Sequence, residues 1–328
     1  MSHFITVPTN ANGIIFDPTM TSVVATAMAD SPFGFEDVYV YSHGWATDAN
    51  QSMDTYSRFS LELARQILIL GALEPAQFTA PPRNSLGIGI HWPSEITEDP
   101  DSPLNALELF TFYSMEQRAD NIGRNAVYAM LRLILTARAA STMKLRLFLL
   151  GHSFGCKVFC AALEDLSADI ADGTIPTPAN YQLRVVLLEP ATDNDNLEAG
   201  DIYGSLATMQ NIRILMTKSS LDAALGIWFP AAARAVNLFG AERYALGAVG
   251  PTQTTTAQFP GGHESISVAP GFVAADMAEV SSQLVVADLT PIHQARKAAG
   301  SYSGGFSGSH SDIFFDELYY MLAGFFFH

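Results

Sequence analysis

"LRLFLLGHSFGCKVFCAAL", residues 145–163, is an apolar run that breaks at Gly151-His152-Ser153-Phe154-Gly155 and then continues in small and apolar residues. The run before the break has the length and composition of a buried strand, and the stretch after it reads as a helix. Gly-x-Ser-x-Gly in that context is a nucleophile elbow: the turn lifts the serine hydroxyl above the end of a sheet, in a strained backbone conformation. Glycine at both flanks removes the side chains that would collide in so tight a turn. The plain alternative is a strand-to-helix turn with a capping serine. A phosphate-binding loop fits less well, because aligning it on Gly151 needs a glycine at Cys156 and Ser or Thr at Val158.

Working outward, short apolar runs alternate with longer helical patterns, the signature of a largely parallel sheet with helices on both faces. The runs are "VYVYS" (38–42), "SLGIGIHW" (85–92), "KLRLFLL" (144–150), "LRVVLL" (183–188), "IRILMT" (212–217) and "QLVVADL" (283–289), with edge pieces near 4–7 and 13–16. Residues 52–70 and 118–138 carry apolar side chains at helical spacing, and "SDIFFDELYYMLAGFFF" predicts a closing helix capped by Ser311 or Asp312. Residues 1–328 read as a single domain in which 223–282, apolar in its first half, is a candidate cap or lid inserted before the last strand. Loops are expected at 252–262 and 300–309.

The chain has 328 residues, 48% of them hydrophobic and 15% charged, with a formal net charge of −16. That charge argues against nucleic acid and anionic membrane surfaces as partners, since both are bound through Lys and Arg. No apolar segment reaches the roughly 20 residues of a membrane span. The start, "MSHFITVPTNANG", lacks the pattern of a secretory signal, so a cytoplasmic location is expected. Cys156 and Cys160, one helical turn apart, read as small packing residues. No metal or cofactor pattern such as HExxH or GxGxxG after a strand is present, so none is expected.

A serine needs a base, an orienting acid and donors for a developing oxyanion. His43-Gly44-Trp45 lies at the end of an earlier strand, which assigns the oxyanion hole to the backbone amides of Trp45 and Phe154. His43 then reads as a loop brace. His152 beside the serine and His91 at a strand end read as structural.

With "SHGWATD" (42–48), "IHWPS" (90–94), "LLGHSFG" (149–155), "TKSSLDAAL" (217–225) and "GSHSDIF" (308–314) in that order, the chain resembles the α/β-hydrolase superfamily. Within it, the chain looks like the bacterial serine-esterase-like group with an HGF-type oxyanion loop and a GHS elbow. The resemblance implies an α/β-hydrolase fold and the order serine, acid, histidine. Asp222 is then the candidate acid, with Asp193 and Glu189 as rivals. His310 is the candidate base, with His293 and His263 as rivals. The implied chemistry is two-step acyl transfer on carboxylic esters, of the esterase or lipase-like kind. An acyltransferase, thioesterase or amidase would use the same three groups, and a non-catalytic binding protein would need none of them. Trp228, Phe229 and Phe239, with Leu238, Phe110, Phe112 and Tyr113 as neighbours, either line an apolar substrate pocket or pack a helical insertion. The departures from the group's pattern are the long insertion and Lys157 just after the elbow.

Overall fold

Alternation along the two central strands sorts their side chains onto opposite sides of one sheet. In β2 (Asp37–Ser42), Val38 and Val40 face one core while Tyr39 and Tyr41 face another. In β4 (Leu145–His152), Leu147 and Leu149 join the first, and Phe148 and Leu150 the second. Both strands are apolar on both faces, as strands covered by helices on each side must be. The structure, a computed structural model, describes residues 3–29, 34–45, 47–73, 84–94, 106–236, 243–303 and 307–327.

The described strands form one eight-stranded sheet, parallel throughout, in the order β1-β3-β2-β4-β5-β6-β8-β7. The remaining strands are β1 (His3–Pro8), β3 (Ser85–His91), β5 (Tyr181–Leu188), β6 (Ile212–Lys218), β7 (His263–Ser267) and β8 (Leu284–Asp288). The helices are α1 (Thr19–Ala29), α2 (Ala49–Leu73), α3 (Ala106–Ile122), α4 (Tyr128–Arg138), α5 (Phe154–Ala171), α6 (Phe229–Val236), α7 (Leu246–Val249), α8 (Gln253–Ala257), α9 (Thr290–Ala298) and α10 (Asp316–Phe327). Residues from α1, α3, α4 and α5 fill the first core, and residues from α2, α9 and α10 fill the second. This is the expected architecture, a parallel sheet with helices on both faces.

Strand order runs one way from β2 to β3 and the other way from β4 through β5, β6 and β8. The reversal opens a crevice between the carboxyl ends of β2 and β4, where ligands bind in open α/β sheets. Both "SHGW" and the Ser153 turn emerge there.

Four expectations need correction. The piece near 13–16 makes a single bridge, Thr9 to Ile15, because the turn at Gly13 ends the pairing. The segment 223–282 is not all insertion: it supplies β7, whose "HESIS" alternates exposed and half-buried side chains and so lacks an apolar signature. Helix α10 starts at Asp316, four residues after Asp312, because the Asp312 carboxylate is held by Arg296 instead of capping a helix. The 118–138 helix is the end of a longer one, α3 to α4, joined by a π-helical turn at Gly123–Val127.

Helix α5 docks unusually close to the end of β2. A methyl group at Gly155 would fall 2.7 Å from the His43 carbonyl oxygen and closer still to that of Ser42. Replacing Gly155 with alanine is expected to lower the unfolding free energy by about 2–3 kcal/mol, the usual cost of forcing a group into a filled interior. Urea denaturation measures it, and a loss below about 0.5 kcal/mol would contradict this packing.

Candidate active site

Ser153 sits between the last residue of β4 and the first of α5, at φ 56° and ψ −123°. A non-glycine residue at such a φ is strained by about 1–3 kcal/mol and persists only where its surroundings impose it. Here the Ser153 amide donates to the Leu188 carbonyl at 3.0 Å, while its own carbonyl accepts from Cys156 and Ala191. Gly44 presses on it from the other side: a Cβ there would lie 2.8 Å from the Ser153 Cβ. Only a glycine lets the loop after β2 come this near the serine.

Opposite Ser153 stands His310, in a short 3-10 turn at Ser309–Ser311. Its Nε2 lies 2.8 Å from Ser153 Oγ, and its Nδ1 lies 2.8 Å from Asp222 Oδ2. A carboxylate only accepts, so Nδ1 carries the proton and Nε2 is left to accept from the serine hydroxyl. The two loops are stitched together: Asp222 and Gly308 form an antiparallel bridge, and the Ser309 amide donates to the Leu221 carbonyl at 3.0 Å. Asp222 Oδ1 accepts from the Leu225 amide at 2.8 Å. The aspartate thus caps a helical turn with one oxygen and faces His310 with the other.

The rivals lie elsewhere. Asp193 is clamped by Arg243 through both its oxygens, and Arg243 also reaches Glu116. Lys157, buried one turn into α5, pairs with Glu116 at 3.2 Å and Asp120 at 3.4 Å, so this lysine belongs to a buried ion network and not to a phosphate loop. His293 is buried between Ser219 Oγ (3.0 Å) and the Asp312 carbonyl (3.2 Å). His263 is exposed on edge strand β7. Glu189, at the end of β5, does approach His310, with Oε2 3.6 Å from Nδ1.

His43, read from the sequence as a loop brace, holds the loop after β2 together with Tyr56, Trp92 and Ser94. The Tyr56 hydroxyl donates to the Ile90 carbonyl at 2.6 Å and accepts from the His43 amide at 2.9 Å. His43 Nε2 accepts from the Trp92 amide at 3.2 Å, so its Nδ1 bears the proton and donates to the Gly44 carbonyl at 2.8 Å. The rings of His43 and Trp92 stack at 5.1 Å and 7°. Ser94 Oγ donates to the Thr47 carbonyl and accepts from the Thr47 amide. Tyr56 had no signal beyond its place in an apolar helical pattern. His152 braces the other side, donating from Nε2 to the His310 carbonyl at 2.8 Å.

A cavity of about 540 Å³ opens over Ser153 and His310. Trp45 and Phe154 line it, as do Phe59 from α2, Leu225 and Trp228 from the turn at Ala224–Trp228, and Phe314. Of the expected pocket aromatics, Trp228 is therefore at the cavity. Phe229 is not: successive helical residues point about 100° apart, and Phe229 turns into the core beneath the Arg243 guanidinium. Phe239 and Leu238 lie outside the described residues, as do the side chains of Phe110, Phe112 and Tyr113. Among the described residues, His152, Glu189 and His310 offer ligand atoms within 4.8 Å of one another. Both nitrogens of His310 and the Nε2 of His152 are already engaged, so this set is poorly suited to a metal.

Residues 30–254 match the family model described as "Alpha/beta hydrolase of unknown function (DUF900)", more than half of the chain. The matched span carries His43 to Trp45, Ser153 and Asp222 and stops short of His310. No curated protein matches the chain. No helix among the described residues is long and apolar enough to cross a membrane.

Burial holds the His43 imidazole down to about 3, and burial together with the neighbouring His310 does the same to His152. The unfolded chain takes up these protons first as the pH falls, so stability present above pH 6.5 is lost between 6.5 and about 3. In His43→Asn the acid dependence of the unfolding free energy in that window is expected to be shallower by up to about 1.4 kcal/mol per pH unit. Urea denaturation at pH 6, 5 and 4 reads the slope, and parallel slopes in the two proteins would contradict a neutral buried His43.

Proposed function

We propose that this chain, which belongs to the alpha/beta-hydrolase family matched above, is a serine hydrolase cleaving carboxylic esters, with Ser153 as nucleophile, His310 as base and Asp222 as acid. One observation carries the reading: two successive 2.8 Å hydrogen bonds run from Ser153 Oγ through His310 to Asp222, beneath an open cavity. A binding protein on the same scaffold has no need of that alignment.

In the proposed reaction Ser153 Oγ attacks the ester carbonyl carbon while His310 Nε2 takes its proton, and Asp222 stabilises the resulting imidazolium. The oxyanion is received by the backbone amides of Trp45 and Phe154. Two observations favour these donors: the close approach of Gly44 to Ser153, and the place of Phe154 at the positive end of the α5 dipole. Collapse of the intermediate expels the alkoxide, which leaves with the proton from Nε2. Water then attacks the acyl-enzyme, giving its proton to His310, and the carboxylic acid departs as Ser153 regains its hydrogen. Ser153→Ala is expected to abolish ester hydrolysis and labelling by an alkyl fluorophosphonate without changing the circular dichroism spectrum. Asp222→Asn should slow hydrolysis by about 10⁴-fold. Retained labelling in the alanine variant would rule the assignment out.

The substrate class follows from the walls. Trp45, Phe59, Leu225, Trp228 and Phe314 give the cavity an apolar lining, which suits an aliphatic or aromatic acyl or alcohol group. Residues 224–228, in the part of 223–282 that precedes β7, act as the cap. Across nitrophenyl esters, kcat/KM should rise about tenfold for each two methylenes from acetyl to hexanoyl, and Trp228→Ala should flatten the rise. A preference for acetyl would count against the apolar pocket.

A further inference from the structure

We infer that Glu189 is a neutral carboxylic acid that donates its O–H to the Asp222 carboxylate, making it a positioning residue for the acid behind His310. The inference rests on the serine-hydrolase reading for its kinetic consequences, though not for the proton itself.

The backbone is shaped to put this carboxyl where it is. Glu189 has φ 44°, which a side-chain-bearing residue rarely adopts. Its amide is fixed by Thr217 Oγ1 at 2.8 Å, and Gly247 packs so tightly that a Cβ there would lie 2.5 Å from the Glu189 carbonyl carbon. The side chain is fully buried, within hydrogen-bonding reach of Asp222 and 3.6 Å from His310 Nδ1. Oε1 accepts a long bond from Ser309 Oγ at 3.4 Å, and Oε2 has no donor among the described residues. For an ionised carboxylate that is a costly arrangement. For a protonated one it is natural, since the orphan oxygen becomes a donor and Asp222 has lone pairs to spare.

Two buried carboxyl groups in contact do not both ionise when, among the described residues, His310 is the one imidazole hydrogen-bonded to the pair. The other titratable groups around Glu189 cannot take the proton's place. Asp312 is neutralised by the two-bond clamp from Arg296. His293 approaches Glu189 Oε1 at 3.9 Å, but burial pushes its imidazole down. Burial likewise pushes the Cys156 thiol and the Tyr302 phenol up, leaving both uncharged. Burial, followed by the Asp222 charge, pushes the Glu189 carboxyl well above its usual range. Asp222 wins the negative charge because it has two N–H donors, the Leu225 amide and His310 Nδ1, where Glu189 has a distant hydroxyl.

Infrared spectroscopy of the wild-type protein at pH 7 tests the proton directly. A carbonyl-stretch band of a protonated carboxylic acid is expected, moving when the protein is made with carbon-13 glutamate and vanishing in Glu189→Gln. Ser153 phosphonate labelling tests the role. Glu189→Gln, which keeps a neutral donor, should slow labelling about threefold, and Glu189→Ala by about 10- to 100-fold. The pH at which labelling switches on should be the same in the glutamine variant as in the wild type, because a neutral group replaces a neutral group. Absence of the glutamate band in the wild type would overturn the proposal. So would an onset displaced by about one pH unit or more in Glu189→Gln, the mark of a lost negative charge. Unlabelled wild-type protein that still shows the band would sink the hydrolase reading and leave the Glu189 proton standing.

Discussion

Everything at this site depends on Ser153 being kept in a backbone conformation that it would leave if its neighbours allowed. The hydrogen bond to Leu188, the carbonyls packed against Gly155 and the approach of Gly44 together impose φ 56° on a residue with a side chain. The effect is to aim a hydroxyl out of the carboxyl end of the sheet, at the reversal of strand order, where His310 meets it at 2.8 Å. Strain of this kind is tolerated because two apolar cores hold the strand and helix on either side of the turn.

The surrounding histidines are arranged so that one of them is available for proton transfer. His43 is locked neutral by a backbone donor at one nitrogen and a backbone acceptor at the other, and His152 spends Nε2 on the His310 carbonyl. His293 is tied to Ser219 and Asp312. Among the described histidines, His310 is the one that faces a hydroxyl at one nitrogen and a carboxylate at the other. Behind it the acidic side of the site holds two carboxyl groups, and in the proposed assignment they divide the work as charge carrier and donor.

The fold was legible because its signals are local. Buried parallel strands are continuous apolar runs, and the glycines around Ser153 mark a turn that only one geometry satisfies. The order of the site residues comes from a family resemblance; in the structure Ser153, His310 and Asp222 are joined by two hydrogen bonds. What stayed hidden is what depends on partners remote in sequence. Strand β7 is an edge strand with no apolar face to betray it. The start of α10 was misplaced because Asp312 looks like a cap until Arg296 is seen beside it. Phe229 and Trp228 are neighbours in the chain, and only the phase of a helical turn decides that one enters the core and the other the cavity. Tyr56 carries no motif, and its role as a brace appears only when β2 and β3 lie side by side.

A crystal structure of the protein inactivated by an alkyl phosphonate tests the serine, its base and the oxyanion donors together. Phosphorus is expected bonded to Ser153 Oγ, with the phosphoryl oxygen within hydrogen-bonding distance of the Trp45 and Phe154 amides and the alkyl chain lying along Trp228. Phosphorus on another residue, or a phosphoryl oxygen turned away from both amides, would contradict this arrangement.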